Sequence, residues 1–454
     1  MRRSNHPSSE AYRIVELATP LALVQLAQVA ISTTDMLMLG WVGGEALAAG
    51  ALGLAVFNLL RTIGFGLIVG TSNLVAAEPG DRVPISLLFG ALVVSAGAGL
   101  IAMGLMVFGG AGLRWLGQDA NVAELAWDYL TFLAPGIVAL FGFYAYRGVV
   151  VGRRKAGFLL AITLATILIN AVLDYGLLFG AFGLPQLGVP GVAAASTLAY
   201  LAQFVAIACI THRTMVFSRL SSMAELLASI RRLLATGLPT AGSYGSEAGF
   251  TALVTLMVGV WGAAALAAQA VVNQMVYVVF MLSIGLSHAT SVGVSEAVGG
   301  GDHERARRVG RTGLLLGMAV AAVFALAFLL FSAPLLALFS LSPGGRGEAT
   351  YRAAQTLLIV AALVQLPDFA QNIGIGALRG VGRAASGFWI TLASYWLIGA
   401  PAAWLMGFHL VPGATGVWIG MGTGFAAAAI GLIAAFHRAT GGFVIARRVS
   451  EQRP

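Results

Sequence analysis

Residues 17–40 read LATPLALVQLAQVAISTTDMLMLG, an apolar run of 24 residues that holds one proline, Pro20, and one charged residue, Asp35. A helix needs roughly 20 apolar residues to cross the hydrocarbon core of a bilayer. The run ends without the small-residue pattern of a cleavage site, so it predicts a retained transmembrane helix rather than a removed signal peptide.

Similar apolar runs recur along the 454 residues, of which 59% are hydrophobic and 10% charged, against roughly 25% charged in soluble domains. The single cysteine, Cys209, excludes an internal disulfide framework and a cysteine-based metal site. We therefore predict an all-α polytopic membrane protein with twelve transmembrane helices. They are placed at 14–40, 46–76, 84–109, 123–148, 156–180, 189–211, 234–260, 264–295, 309–339, 350–378, 385–409 and 414–437.

Lysine and arginine are distributed unevenly between the segments that connect these runs. With the N-terminus in the cytoplasm, 22 of the 26 basic residues fall on the cytoplasmic side, Arg147 and Arg379 among them. The opposite side receives Arg114, Arg346 and Arg352, and Arg61 alone falls inside a span. This is the bias of the positive-inside rule, so both termini are predicted to be cytoplasmic. The net charge of +8 then reflects membrane topology rather than nucleic-acid binding.

The two halves of the chain resemble each other at a shift of 219 residues. Pro20 falls on Pro239, and GWVGGEALAAG at 40–50 falls on GVWGAAALAAQ at 259–269. Later, RGVVVGR at 147–153 echoes RGVGR at 379–383. A parallel duplication of six helices is a recurring transporter design, although chance similarity of glycine- and alanine-rich segments is an alternative. The predicted organisation is two pseudo-symmetric lobes at 1–211 and 234–437, a cytoplasmic linker with an interfacial helix at 212–233, and a basic cytoplasmic tail at 438–454.

Four acidic residues are predicted to lie inside spans: Asp35, Asp174, Glu247 and Asp368. An ionised group at the bilayer centre costs at least about 2.5 kcal/mol on insertion scales, so such groups face internal cavities and serve a purpose. A carboxyl group there can be proton-bound, cation-bound or free, which are the states that an ion-coupled carrier needs. The alternative is a protonated acid that only holds helices together.

Helical spacing sorts these acids into two sets. Gln28 and Asp35 are two turns apart on one face, and Asn170 and Asp174 are four residues apart on another. The predicted N-terminal cation-coupling set is Gln28, Asp35, Asn170, Asp174 and Thr197. The C-terminal set is Glu247, Gln269, Asn273 and Asp368. Na⁺ could bind at Asp35 with Asp174 or at Glu247 with Asp368, and the candidates for a substrate cleft are Asp35, Glu247, Asp368 and Arg61, the last expected to pair with Asp35.

With these residues in view, the sequence resembles the multidrug and toxic compound extrusion (MATE) family, closest to its NorM-like bacterial branch, over nearly the whole chain. The resemblance rests on Pro20, Gln28 and Asp35 in the first run and on four further stretches. These are LINAVLDYGLLFG at 168–180, FGLPQLGVPGVAAAST at 182–197, QLPDFAQNIGIGALRGVGR at 365–383 and SYWLIGAP at 394–401.

The resemblance implies a monomeric secondary transporter of the bacterial inner membrane, with no enzymatic activity and no cofactor. It would export small cationic, lipophilic compounds in exchange for Na⁺ or H⁺ by alternating access. By matching position, the N-lobe cation site would include Asp35, Asn170, Asp174 and Thr197, and the C-lobe site Glu247, Asn273 and Asp368. Two positions depart from the family pattern: Val364 stands where relatives tend to have tyrosine, and Gln186 where they often have glutamate.

Other classes of function remain open. A lipid-linked precursor flippase, or another metabolite exporter of the same superfamily, would favour a basic cleft, whereas the sequence places only Arg61 inside a span. An uptake carrier fits the helix count alone. A channel would need a ring of pore residues and an intramembrane enzyme a nucleophile, base or metal motif, and the sequence shows neither pattern.

Overall fold

Twelve long helices make up the part of the chain that the structure, a computed structural model, describes. They are α1 (Pro7–Val42), α2 (Gly44–Ala77, with a break at Val69), α3 (Ile85–Gly110), α4 (Ala120–Gly152), α5 (Leu159–Phe179), α6 (Val189–Thr214), α7 (Met223–Gly259), α8 (Ala263–Gly299), α9 (His303–Leu330), α10 (Glu348–Gly380), α11 (Ala384–Leu410) and α12 (Ala414–Glu451). The described residues are 7–80, 82–110, 112, 120–339, 341, 343–344 and 348–451, without the side chains of 7–9, 110, 120, 263 and 442–451. The predicted positions of Arg114 and Arg346 lie outside them.

Eleven helices in the described residues are long and apolar enough to cross a membrane. The helix outside this set is α7, because polar residues such as Ser243, Ser246 and Glu247 interrupt its apolar run. The predicted all-α polytopic fold is confirmed. The predicted helix at 309–339 is instead α9, which ends at Leu330, followed by a short helix over Ser332–Ala337.

The interfacial helix predicted within 212–233 is not a separate element, because α7 continues without a break from Met223 to Gly259. The helix starts at the capping-box sequence Ser222-Met-Ala-Glu225, in which the Glu225 backbone N–H donates to the Ser222 hydroxyl oxygen at 3.2 Å. In return, the Glu225 carboxylate accepts the Ser221 backbone N–H at 3.0 Å. Reciprocal bonds of this kind satisfy donors that the first turn of a helix leaves open.

The helices form two compact units whose boundaries fall inside α1 and α7. One unit, here the N-unit, is Leu23–Ala241, and the other, the C-unit, is Met1–Ala22 with Gly242–Pro454. The first part of α1 therefore packs in the C-unit and the first part of α7 in the N-unit. The predicted lobes have their boundaries in the segments between helices, whereas the units have theirs inside α1 and α7. The two divisions of the chain therefore differ at both boundaries. Pro20 and Pro239 each stand three residues before the crossing point.

Glycines permit this packing where α1 and α7 meet their neighbours. In the C-unit, a methyl group added at Gly285 of α8 would lie 2.8 Å from the Ala22 side chain and 3.0 Å from the Ala18 carbonyl oxygen of α1. In the N-unit, a methyl group at Gly237 of α7 would collide with the Leu67 carbonyl oxygen of α2. Helix backbones can approach this closely in a membrane only where side chains are absent or small.

Local geometry repeats between the units at two registers. The loops before α2 and α8 agree with the 219-residue shift, because Gly43 and Gly262 both have positive φ and accept from Leu47 and Leu266. At the ends of α4 and α10 the equivalent residues are 228 apart. Arg154, with φ 54°, occupies the left-handed position that Gly382 fills in the second copy.

That second register corrects the pairing of the two Arg-Gly segments. At 228 residues, Val151 rather than Arg147 corresponds to Arg379. Arg147 and Arg379 both lie near the ends of their helices and are only 1% and 2% exposed, and their assignment to the cytoplasmic side stays a prediction. Arg147 donates to Gln25 Oε1 at 3.0 Å and lies 5.4 Å from the centre of the Phe65 ring.

Four charged side chains hold the start of α1 in the C-unit. Arg13 donates to Glu296 at 3.0 Å and Arg305 donates to Glu10 at 2.9 Å, while Arg305 also lies 3.5 Å from Glu296. These side chains are a quarter exposed or less, apart from Glu296 at 27%. Networks of half-buried charges contribute more to stability than isolated pairs on the surface.

Replacing Glu296 by glutamine is expected to lower the thermal unfolding temperature, because Arg13 and Arg305 both lose a partner. We expect a loss of about 1 kcal/mol, measured as the unfolding midpoint of purified protein in detergent. The control is Arg352→Gln, which breaks a pair with Glu348 in which the arginine side chain is 77% exposed. Equal midpoints for the Glu296→Gln variant and the control would show that the network does not stabilise the fold.

Candidate functional site

The N-unit contains a fully buried aspartate near the end of α1. Asp35 is 1% exposed and its Oδ2 accepts the Ser196 hydroxyl of α6 at 2.9 Å. The Tyr129 hydroxyl of α4 donates to the same oxygen at 3.4 Å. Three helices thus converge on one carboxyl group, as expected of an acid that has no access to bulk water.

The second acid of the N-unit lies on α5 and is joined to the first. Asn170 Nδ2 donates to Asp174 Oδ1 at 3.2 Å and to the Ser196 oxygen at 3.1 Å, so the predicted shared face of Asn170 and Asp174 is present. Ser196 and Asn170 thereby link the carboxyl groups of Asp35 and Asp174, which also lie close enough to interact directly. A carboxyl group can carry or release a proton, so the pair is suited to proton exchange.

Buried oxygens in this cluster retain capacity for a cation. Asp35 Oδ1, Asn170 Oδ1 and Asp174 Oδ2 are buried and accept no hydrogen bond from the described residues. Carboxylate and amide oxygens are the donors that hard cations prefer. The oxygens of these three side chains thus have the chemistry to bind either a proton or Na⁺.

Two predicted members of the N-terminal set lie differently from Asn170 and Asp174. The Thr197 hydroxyl donates to the Phe132 carbonyl oxygen at 2.7 Å, and the neighbouring Ser196 contacts Asp35 instead. Gln28 is buried at 6% exposure, and its Nε2 has no hydrogen-bond partner among the described residues. Arg61 interacts electrostatically with Tyr200; its pairing with Asp35 stays a prediction.

The C-unit brings its two acids together through an amide that the sequence analysis does not single out. Gln371 Nε2 donates to Asp368 Oδ1 at 3.1 Å, and Gln371 also lies close enough to interact with Glu247 of α7. Its Oε1 accepts the Tyr395 hydroxyl of α11. Gln371, 0% exposed, therefore joins three helices and links both acids of the predicted C-terminal set.

Tyr395 reaches Gln371 because α11 is wound unusually at that point. Residues Ser394–Gly399 form a π-helical turn, and the Tyr395 ring stacks on Phe250 with ring centres 5.4 Å apart. Single π-turns inside α-helices often occur at functional sites. Gln371 could have been found from its position one turn after Asp368, whereas periodicity gives no signal for the π-turn.

The remaining predicted C-terminal residues do not hydrogen-bond to these acids in the described part of the chain. Gln269 is buried and donates to the Thr255 hydroxyl at 2.8 Å, and Asn273 is exposed. Val364, one turn before Asp368, is buried against Gly422, where an added methyl group would lie 2.8 Å from its side chain. Gln186 is exposed.

Comparisons with known proteins agree on one group. The MatE family model matches the chain twice, at residues 20–176 and 239–405. A probable multidrug resistance protein NorM of Pseudomonas aeruginosa is 35% identical over 94% of this chain and 89% of its own length. The Bradyrhizobium diazoefficiens protein of the same name is 36% identical over 92% and 91%.

Solved structures show the same fold at lower identity. A MOP superfamily transporter from Pyrococcus furiosus superposes with a TM-score of 0.86 at 20% identity, over 98% of this chain and 99% of that one. The Vibrio cholerae MATE transporter VcmN in its bent form gives 0.84 at 17% identity, over 97% and 99%.

Replacing Gln371 by leucine is expected to destabilise the C-unit, because the substitution removes hydrogen bonds to the buried Asp368 and Tyr395 side chains. Each buried group left without a partner costs about 1–3 kcal/mol. The matched control is Gln365→Leu on the same helix, since the buried Gln365 amide has no hydrogen-bond partner among the described residues. We expect a lower unfolding midpoint for Gln371→Leu and an unchanged or higher one for Gln365→Leu; the reverse order would contradict the bridging role.

Proposed function

Because the chain belongs to the multidrug and toxic compound extrusion family, as its sequence motifs indicate, we propose that it exports cationic, amphipathic compounds in antiport with Na⁺ or H⁺. Family membership makes it a multi-pass membrane transporter of the NorM-like group rather than an enzyme. The exchange reaction, the coupling ion and the substrate class are the proposal. So are a monomeric state, a bacterial inner-membrane location and two cytoplasmic termini.

The observation that supports antiport most strongly is the presence of one buried acid cluster in each unit. Asp35 and Asp174 are linked through Ser196 and Asn170 in the N-unit, and Gln371 contacts both Asp368 and Glu247 in the C-unit. Each cluster can be neutral or negative, depending on its proton or cation. A cationic substrate binds better to the negative form, so substrate and coupling ion compete for the same carboxyl oxygens.

Competition between substrate and coupling ion gives antiport when the affinities of the site for them differ between two conformations. A ligand shifts a conformational equilibrium only by its difference in affinity for the two states. In the proposed cycle, a substrate cation binds from the cytoplasm while the acids are negative, and Na⁺ or H⁺ from outside then neutralises them and releases it. One charge that moves inward across about 100 mV supplies roughly 2.3 kcal/mol.

Efflux of ethidium from energised cells tests this proposal. We expect a Na⁺ pulse or an acid pulse to trigger efflux from cells that express the wild-type protein. We expect Asp35→Asn and Asp368→Asn to slow it about tenfold or more, a typical size for lost coupling between two ligands, because asparagine cannot change its charge. The pulse that works identifies the coupling ion.

The matched control for the efflux assay is Asp128→Asn, which removes an exposed carboxylate of α4 and should leave efflux unchanged. If the Asp35→Asn and Asp368→Asn variants export ethidium as fast as the wild type does, these acids take no part in the coupling step. If well-expressed wild-type protein shows no efflux with either pulse, the multidrug proposal fails, and a flippase or another metabolite exporter of the superfamily becomes the better account.

A further inference from the structure

We propose that a groove at one end of the C-unit is a binding site for an anionic phospholipid. The groove has a cavity volume of about 40 Å³ and lies open to the surroundings between α9, α10 and α12. Its lining residues are Arg307, Gly310, Arg311, Leu314, Ile373, Gly374, Ala377, Ile433, Phe436 and His437. It contains none of the acids assigned to ion coupling, and the inference does not depend on the substrate.

The groove lies at the edge of the membrane rather than at its centre. Arg307 is in the second turn of α9, Ala377 is in the last turn of α10, and His437 is four residues before the end of the apolar span at Gly441. Three spanning helices therefore reach the same boundary at this point, where lipid head groups meet the protein.

The chemistry of the groove is divided between its floor and its rim. The floor is apolar and suits an acyl chain, since it is formed by Leu314, Ile373 and Phe436. The rim carries three exposed side chains, those of Arg307, Arg311 and His437. A free anion such as inorganic phosphate would use the rim and leave the floor uncovered. A phospholipid has the right chemistry for both, because its phosphate and its acyl chain are joined.

The two arginines on the rim have no carboxylate partner among the side chains that the structure describes. Among the described residues, neither Arg307 nor Arg311 lies within 4.0 Å of a carboxylate oxygen, whereas Arg305 in the same helix pairs with Glu10 and Glu296. Arg307 and Arg311 are four residues apart, so they face the same way and repel each other. A phosphate between them would replace repulsion with two charge-assisted hydrogen bonds, and basic pockets between spanning helices are a known setting for anionic head groups.

Native mass spectrometry of the purified full chain tests this inference with defined lipids. Wild-type protein should retain phosphatidylglycerol in preference to phosphatidylcholine that carries the same acyl chains. The double variant Arg307→Gln/Arg311→Gln should bind phosphatidylglycerol about 30-fold more weakly, the loss expected for two arginines at an anionic surface. The control Arg219→Gln/Arg231→Gln removes the same charge from exposed positions of the N-unit and should bind as the wild type does.

A second variant separates a lipid from a free anion. Leu314→Trp fills the apolar floor and keeps both arginines, so it should also lose phosphatidylglycerol while the protein stays monodisperse in size-exclusion chromatography. Inorganic phosphate at the same concentration should not compete with the lipid. The inference is overturned if the arginine pair variant binds as wild type, if the control loses binding equally, if both lipids bind alike, or if phosphate alone displaces the lipid.

Discussion

A polar side chain inside a lipid bilayer must find its partners within the protein, and this constraint shapes both acid clusters. Water and salt cannot satisfy a carboxyl group at that depth, so neighbouring helices must bring hydroxyl, amide or carboxyl groups to it. The Asp35 cluster meets this need with α4, α5 and α6, and the Asp368 cluster meets it with α7 and α11 through Gln371. The same need explains why Arg147, at one end of α4, is turned inward onto Gln25 and the Phe65 ring. In the N-unit cluster, three buried oxygens accept no hydrogen bond from the described residues, and the proposed coupling ion would occupy them.

Packing decides which helices can contribute to each cluster. The α4 and α6 backbones approach closely at Gly136, where an added methyl group would lie 3.0 Å from the Thr197 Cα atom. That approach sets the rotation of α6, which turns Ser196 toward Asp35 and Thr197 toward the Phe132 carbonyl. The chain changes from one unit to the other inside two continuous helices. The first part of α1 belongs to the C-unit and the first part of α7 to the N-unit, and each change of unit falls three residues after a proline.

Features that depend on local spacing could be predicted from the sequence, and those that depend on helix rotation could not. The shared face of Asn170 and Asp174 follows from a four-residue interval, and the start of α7 follows from Ser222 and Glu225. Ser196 and Thr197 are adjacent and chemically alike, so only the packing of α6 could distinguish them. The exchange of helix ends has no sequence signal either, because hydropathy records that a segment is apolar and not which neighbour it contacts. The match between the Arg-Gly pairs at 147 and 379 gave a wrong correspondence for a related reason. The register of the repeat changes from 219 to 228 residues between the first and fourth helix of each copy.

We propose that a substrate cation and the coupling ion compete for these acids, and the release of ions on substrate binding measures this competition. Ethidium would be added to purified protein in a weakly buffered solution, once without Na⁺ and once with it, while released H⁺ and Na⁺ are recorded with a pH dye and an ion-selective electrode. We expect the wild type to release one of the two ions as ethidium binds, Asp35→Asn or Asp368→Asn to release less, and the double variant to release none. Ethidium binding to the wild type without release of either ion, or undiminished release from the double variant, would contradict it.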